Sequence, residues 1–388
     1  MSGIVLSASV RQNLLSLQST ADLLATTQNR LSTGKKVNTA LDNPTNYFTA
    51  QGLDNRANDI SNLLDGIGNG VQVLQAANTG LTSLQKLVDT AKSIANQVLQ
   101  APAGYSPKST VTSAVALTGN SANLVDGTII KAGDVLTIAS TGGGTATSIT
   151  FGASESLDQL NVALAANNLS ASLDSANKLV ITTTNDAASS TIGVVAYPGA
   201  GTGTLTFGAV AAPVADAASQ IIRANLVSQY NNVITQITTT AQDSSFNGIN
   251  LLNGDDLKLT FNETGKSTLI IKGVTFNAAG LGLAPLVAGT DFLDSASAKA
   301  TMAKITSASD ALRTQASTLG SNLSIVQIRQ DFSKNLINVL QTGSANLTLA
   351  DTNEEAANSQ ALATRQSIAV SALALANQAQ ASVLQLLR

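Results

Sequence analysis

The chain has 388 residues, with 21 Lys plus Arg, 24 Asp plus Glu, no His and no Cys, giving a net charge of −3. That composition excludes disulfides, thiolate or imidazole metal sites, Cys nucleophiles and His-based triads, and its slightly acidic balance argues against nucleic acid as a partner. Only 12% of residues are charged and 3% are aromatic, so a core must be built from Ala, Leu, Val and Ile.

Met1 to Val10 lacks a positive n-region, and Ile4-Val5-Leu6 is too short for a secretory leader. No apolar run reaches the ~18 residues of a membrane span. From Ser7 to Gln100 the pattern is helical. The positions Val10, Leu14, Leu17, Ala21, Leu24, Gln28 and Leu31 alternate steps of four and three, the heptad rhythm of a helix packed along another helix. Gly34 is a helix stop with Lys35 and Lys36 beside the negative helix end, and Asp42-Asn43-Pro44 is a turn. A second helix follows through Ile60, Leu64, Ile67, Val71, Leu74, Leu81, Leu84, Val88, Ala91 and Val98. Gly66, Gly68, Gly70 and Gly80 weigh against its being unbroken.

Between Ala101 and Pro213 the texture changes to short β-branched runs separated by turn residues: 128–130, 135–138, 148–151, 179–184, 192–195 and 204–207. One short helix is expected from Leu157 to Leu164. The stretch reads as a small α+β or mostly β domain with Pro- and Gly-rich borders. Gly199-Ala200-Gly201-Thr202-Gly203 lacks the Gly-Lys-Ser/Thr ending of a phosphate loop.

Helix resumes from Asp216 to Thr240, with Ile222, Leu226, Val233 and Ile237 on one face. Then come Phe246-Asn247-Gly248 and Asn253-Gly254, and an alternating run with Leu257, Leu259 and Phe261. After Glu263-Thr264-Gly265-Lys266 the run Leu269-Ile270-Ile271 completes a strand–turn–strand signature. The 4/3 rhythm returns through Ala298, Met302, Ile305, Ser309, Leu312, Ala316, Leu319, Leu323, Val326, Gln330, Ser333, Ile337 and Leu340. Asp351-Thr352-Asn353-Glu354 is a helix start. The last seam is Leu362, Gln366, Ala369, Leu373, Ala376, Gln380, Val383 and Leu387.

Ala356 to Arg388 carries only two charges, Arg365 and Arg388. Exposed coiled-coil helices carry Glu and Lys beside the seam. A helix of ~50 Å, at ~1.5 Å per residue, with an almost uncharged outer face needs covering on several sides. Its partner is expected to be the charge-poor helix at the other chain end, with copies of the same chain covering what remains. Such a composition also suits ends that order only on assembly.

Three motifs now carry a resemblance. Arg30-Leu31-Ser32-Thr33-Gly34-Lys35-Lys36-Val37-Asn38, the segment Phe246 to Gly254, and the ending Ala374-Leu375-Ala376-Asn377-Gln378 through Val383-Leu384-Gln385-Leu386-Leu387-Arg388 resemble the corresponding stretches of bacterial flagellin. The resemblance covers about 1–100 and 215–388. It implies a mainly α fold. Paired terminal coiled-coil helices (1–45 and 346–388) would form an inner filament core. A helical rod with a β-hairpin (46–103 and 214–345) would form an outer core. An inserted α+β or mostly β domain (104–213) would lie on the surface. The inner-core assembly residues would include Leu14, Leu17, Leu24, Leu31, Leu362, Leu373, Ala376, Val383 and Leu387. The hairpin motif would be Phe246, Asn247 and Gly248.

The resemblance further implies a homopolymer outside the cell, built for swimming from chains exported unfolded by the flagellar type III apparatus. A hook–filament junction protein, a filament cap protein and a C-terminus-binding export chaperone would be partners. No catalytic residue, metal or cofactor is implied. A hook–filament junction protein is the alternative reading; the complete ending and the Phe-Asn-Gly segment favour flagellin. The protease insert of some flagellins needs His, which is absent here. Where many flagellins carry Arg-x-Arg-Glu-Leu-Ala, the docking segment for a vertebrate innate immune receptor, this chain has Thr90-Ala91-Lys92-Ser93-Ile94-Ala95. Thr90, Lys92 and Ser93 lack the bidentate and carboxylate groups of that pattern, so weak recognition is expected.

Overall fold

The computed structural model of the protein describes residues 8–198 and 204–386. Its elements run α1 (Ala8–Thr33), α2 (Pro44–Gln100), β1 (Thr110–Thr112), β2 (Val135–Ile138), β3 (Thr147–Thr150), α3 (Leu157–Ala165), β4 (Leu169–Leu173) and β5 (Leu179–Thr183). After a 3-10 turn at Asn185–Ala187 come β6 (Val195–Ala196), α4 (Ala217–Asp243), β7 (Leu257–Thr260), β8 (Thr268–Ile271), α5 (Ser295–Thr348) and α6 (Thr352–Leu386). The fold is mainly α, with long helices toward both chain ends and small sheets in the middle. Two compact units divide it: Met1–Gly70 with Lys258–Leu269 and Ile325–Arg388, and Val71–Leu257 with Ile270–Ser324.

In the first unit α1 packs along α6. Pro44 opens α2, where its missing N–H costs nothing. Ala57 and Ile60 of α2 pack with Leu340 of α5, flanked by Leu53, Leu336 and Ile337. The helix α2 is continuous through Gly66, Gly68, Gly70 and Gly80; at Gly70 close approach explains the residue, since a Cβ there would collide with the Leu259 side chain, whereas Gly66 and Gly68 have open space around them. The turn after β7 is tied down by Arg56 to Glu263 (2.9 Å) and by Arg329 lying 5.7 Å from the Phe261 ring centroid.

In the second unit a core of its own fills the middle of the chain. Leu136, Ile138, Phe151, Leu160, Leu164, Leu179 and Ile181 are buried there. They come from two antiparallel three-stranded sheets, ordered β1-β5-β4 and β3-β2-β6, from Phe151 just after β3, and from α3. Ser156 and Gln159 form a reciprocal capping box at the start of α3. Three expected strands differ, and of 192–195 only Val195 enters a strand, β6. Residues 128–130 are folded into a turn, because the amides of Thr128, Ile129 and Ile130 all donate to Asp126 Oδ1 at 2.7, 2.7 and 3.2 Å. Residues 204–207 form no named strand, although Phe207 bridges to Ser113. Conversely, β1 and β4 arise where no β-branched run was read; Leu169-Ser-Ala-Ser-Leu173 pairs with β5 along its whole length.

The rod part of the second unit shows one clear correction. Ile222, expected on the buried face of α4, is 47% exposed, and Arg223 lies beneath it at 2%. The guanidinium donates to the carbonyls of Pro102 (2.6 Å), Phe292 (2.5 Å), Ala101 (3.1 Å) and Val98 (3.3 Å). Two of these belong to the C-terminal turn of α2 or its next residue, where orphan carbonyls and the helix dipole favour a cation. Burial pushes its pKa down, and the charge of Asp294 opposes that. Gln85 of α2 reaches Ser309 of α5 at 2.8 Å. Along α5 every expected seam position from Ala298 to Leu340 is buried or half-buried.

Candidate assembly surface

The joint between α1 and α6 is built by the first of the three motifs. Gly34 ends α1 at φ +69°, a conformation that costs other L-residues roughly 1–2 kcal/mol. The chain then crosses to the segment before α6. Lys36 N–H donates to the Thr348 carbonyl at 2.8 Å and Ala350 N–H to the Gly34 carbonyl at 3.0 Å. Asn38 Nδ2 donates to Thr33 Oγ1 (2.9 Å) and the Lys35 carbonyl (3.3 Å), closing the corner. Asp42 Oδ2 accepts from the amides of Asn38 (2.9 Å) and Thr39 (2.8 Å). Those amides, Thr39 first, hold the Asp42 carboxyl below its ordinary pKa. Asp351 caps α6 by accepting from Asn353 N at 2.9 Å.

Arg30 pairs with the largely buried Glu355 at 3.2 Å. With the crossing bonds this fixes the rotation of α1. Its covered side runs through Val10, Asn13, Leu17, Ala21, Leu24, Thr27 and Arg30. Leu17 and Leu24 therefore lie on the seam, half-buried, while Leu14 (45% exposed) and Leu31 (40%) turn outward. This corrects the expected seam at Leu14, Gln28 and Leu31, where Asn13, Thr27 and Arg30 are covered instead. On α6, Leu362, Gln366, Ala369, Leu373 and Ala376 are half-buried in the expected rhythm. Val383 and Leu387, with Gln380, lie outside the residues whose side chains are described.

What remains uncovered mixes small polar side chains with large apolar ones. Leu14, Leu15, Leu23 and Leu31 on α1 and Ile368, Val370 and Leu375 on α6 are exposed. Within α6 the only charged residues are Glu354, Glu355 and Arg365. No described helix is long and apolar enough to cross a membrane, and no described cluster of carboxylates is arranged to hold a metal.

The second motif is a tight turn. Asn247 (φ +50°) and Gly248 (φ +79°) are its central residues, and Phe246 and Ile249 exchange backbone hydrogen bonds at 3.0 and 3.1 Å. Two successive positive φ values are what a two-residue hairpin loop asks of Asn-Gly. Thr90, Lys92 and Ser93 lie on the exposed side of α2, and Ile94 is buried. The glycine-rich stretch 199–203 lies outside the described residues. Sequence reasoning missed Arg223; a lone Arg in an apolar helical slot was its only signal.

Long helices at the chain ends, paired with each other and leaving large Leu, Ile and Val side chains exposed, define a class of helical subunit whose terminal pair is incompletely covered by its own chain. The chain belongs to the bacterial flagellin family: the N-terminal helical region of that family matches residues 5–128 and the C-terminal helical region matches residues 302–387, together more than half of the chain. Flagellin FljM of Caulobacter vibrioides is 33% identical over 165 residues, covering 42% of this chain and 59% of that protein. Flagellin FljK of the same organism is 32% identical over the same extent. Flagellin C of Rhizobium meliloti is 30% identical over 139 residues, 35% of this chain and 41% of its own. The chain thus spans about three-fifths of the length of the Caulobacter relatives it matches.

Proposed function

We propose that this chain is a structural subunit that self-assembles into the helical filament of the bacterial flagellum, outside the cell, for swimming motility. The observation that carries this is the set of large apolar side chains that α1 and α6 leave exposed. Covering apolar area is worth about 25 cal/mol per Å², which favours association of the surfaces that carry such side chains. Further copies of the chain supply that cover. Membership of the flagellin family supports the same reading.

The finer parts of the proposal follow from it. The terminal helices, 1–45 and 346–388, would line the inner core. The rod, 46–103 and 214–345, would form the outer core, and 104–213 would face solvent. The chain would leave the cell unfolded through the flagellar type III apparatus, with an export chaperone on its C-terminus, and would meet a hook–filament junction protein and a filament cap. Its role is structural rather than catalytic. Thr90, Lys92 and Ser93 would weaken recognition by the vertebrate flagellin receptor; a full response in a cell reporter at ordinary flagellin doses would refute that.

The test is seeded polymerisation of the purified chain, followed by electron microscopy, together with deletion of its gene in a strain lacking a second flagellin. Filaments in the first and loss of filaments in the second are expected. A strain that loses only a short junction and sheds other subunits would overturn the reading.

A further inference from the structure

Leu41 is 95% exposed, the most exposed large apolar side chain among the described residues. It is not on a loose loop. The corner around it is held by the Asp42 carboxylate, which accepts from the Asn38 and Thr39 amides, and by the Lys36 to Thr348 bond. A rigid corner loses little entropy when its tip is bound. All of the corner's bonds to Asp42 use Oδ2, which leaves Oδ1 without a hydrogen-bond partner among the described residues.

Elsewhere on the chain, in the second unit, α2 and α5 form a groove of about 330 Å³. Leu81, Leu312 and Ala316 supply its apolar wall, and Lys86 and Arg313 stand at its rim, Arg313 in a loose 3.8 Å pair with Asp310. Gln85 also lines it, and its Oε1 is buried with no hydrogen-bond partner among the described residues, while its Nε2 is engaged by Asp89 and Ser309. The groove therefore asks for an apolar side chain with a negative charge beside it. Leu41 and Asp42 offer these two together.

We propose that the Leu41–Asp42 corner of one copy seats in the Leu81–Leu312–Ala316 groove of the next copy, with Asp42 facing Lys86 and Arg313. This rests on the polymer reading above and names a contact within it. Knob and groove are different surfaces of one chain, so the contact is head-to-tail. Such contacts propagate without closing unless the rotation happens to form a ring, which is the geometry an open filament needs.

The absence of Cys gives a clean test. Full-length L41C and A316C are mixed, polymerised on seeds, oxidised and run on a non-reducing gel. A disulfide-linked dimer is expected in the polymer and not in the dilute monomers. L41C mixed with V162C, a position in α3 that is 79% exposed, should give none. L41A is a second measurement: its circular dichroism should match the parent, and its critical concentration for growth should rise roughly tenfold or more, from the lost burial of a Leu side chain. Polymer that forms from the parent chain but yields no L41C–A316C dimer, or yields as much with V162C, would overturn this contact alone. A parent chain that never polymerises would overturn the polymer reading and the contact with it.

Discussion

At the scale of single residues, Arg223 and Asp126 decide more than their positions in the sequence suggest. Arg223 satisfies four carbonyls from two segments, 98–102 and Phe292. Replacing it with Ala leaves those carbonyls buried without a donor, so R223A should lose about 3–5 kcal/mol of stability in urea unfolding. R223K should recover little of that, since an ammonium cannot reproduce the planar fork. Asp126 is governed by pH. Burial works against its ionisation, but the Thr118 hydroxyl and the amides of Thr128, Ile129 and Ile130 outweigh it, and its pKa is held well below the ordinary range. A lowered folded pKa means a contribution that is complete above the unfolded value of about 4 and fades as pH falls from there. D126N should therefore cost about 1 kcal/mol at pH 7 and narrow the gap between thermal midpoints at pH 7 and pH 3. An unchanged gap would show that Asp126 is not an acid-sensitive tie.

At the scale of elements, the glycines of α2 separate propensity from packing. Ala is better than Gly in a helix interior by about 0.8–1.0 kcal/mol. A Cβ on Gly66 meets nothing within 4 Å, so G66A should stabilise by up to that amount. A Cβ on Gly80 would lie 2.2 Å from Ser244 Oγ and 2.7 Å from a Leu252 methyl, so G80A should destabilise by about 1–3 kcal/mol. Opposite signs in denaturant midpoints are the expected result. The same contrast explains what could be read in advance. The α5 seam was legible because a 4/3 rhythm needs no knowledge of the partner. The glycines of α2 weigh against an unbroken helix in the sequence because the contacts that explain Gly80 come from more than 160 residues along the chain. Arg223 was invisible because its acceptors are 69 to 125 residues away. The strand β4 was missed because Leu, Ser and Ala carry no β-branched signal and only its pairing with β5 selects it. The phase of α1 slipped at Leu14, Gln28 and Leu31 because the Arg30–Glu355 pair and the Gly34 crossing set its rotation, and neither is visible in apolar spacing.

At the scale of the whole molecule, the two sides of α6 should separate folding from assembly. Leu373 lies on the seam with α1 and is half-buried, whereas Leu375, two residues on, is 72% exposed. An Asp at 373 places a charge against α1 without a partner, which costs several kcal/mol unless the helices part. L373D should therefore lose hydrogen-exchange protection across Ala8–Thr33 in the dilute monomer. An Asp at 375 meets only water there, and surface changes of that kind fall within about 0.5 kcal/mol. In a polymer the same side chain would be enclosed by neighbouring copies, and the charge would be taken out of water. L375D should keep the monomer's exchange pattern and stability yet fail to extend seeds at concentrations where the parent chain grows. Growth of L375D at the parent's critical concentration would show that this face of α6 stays wet in the assembled state, and the covering of the terminal helices would have to come from the α1 side alone.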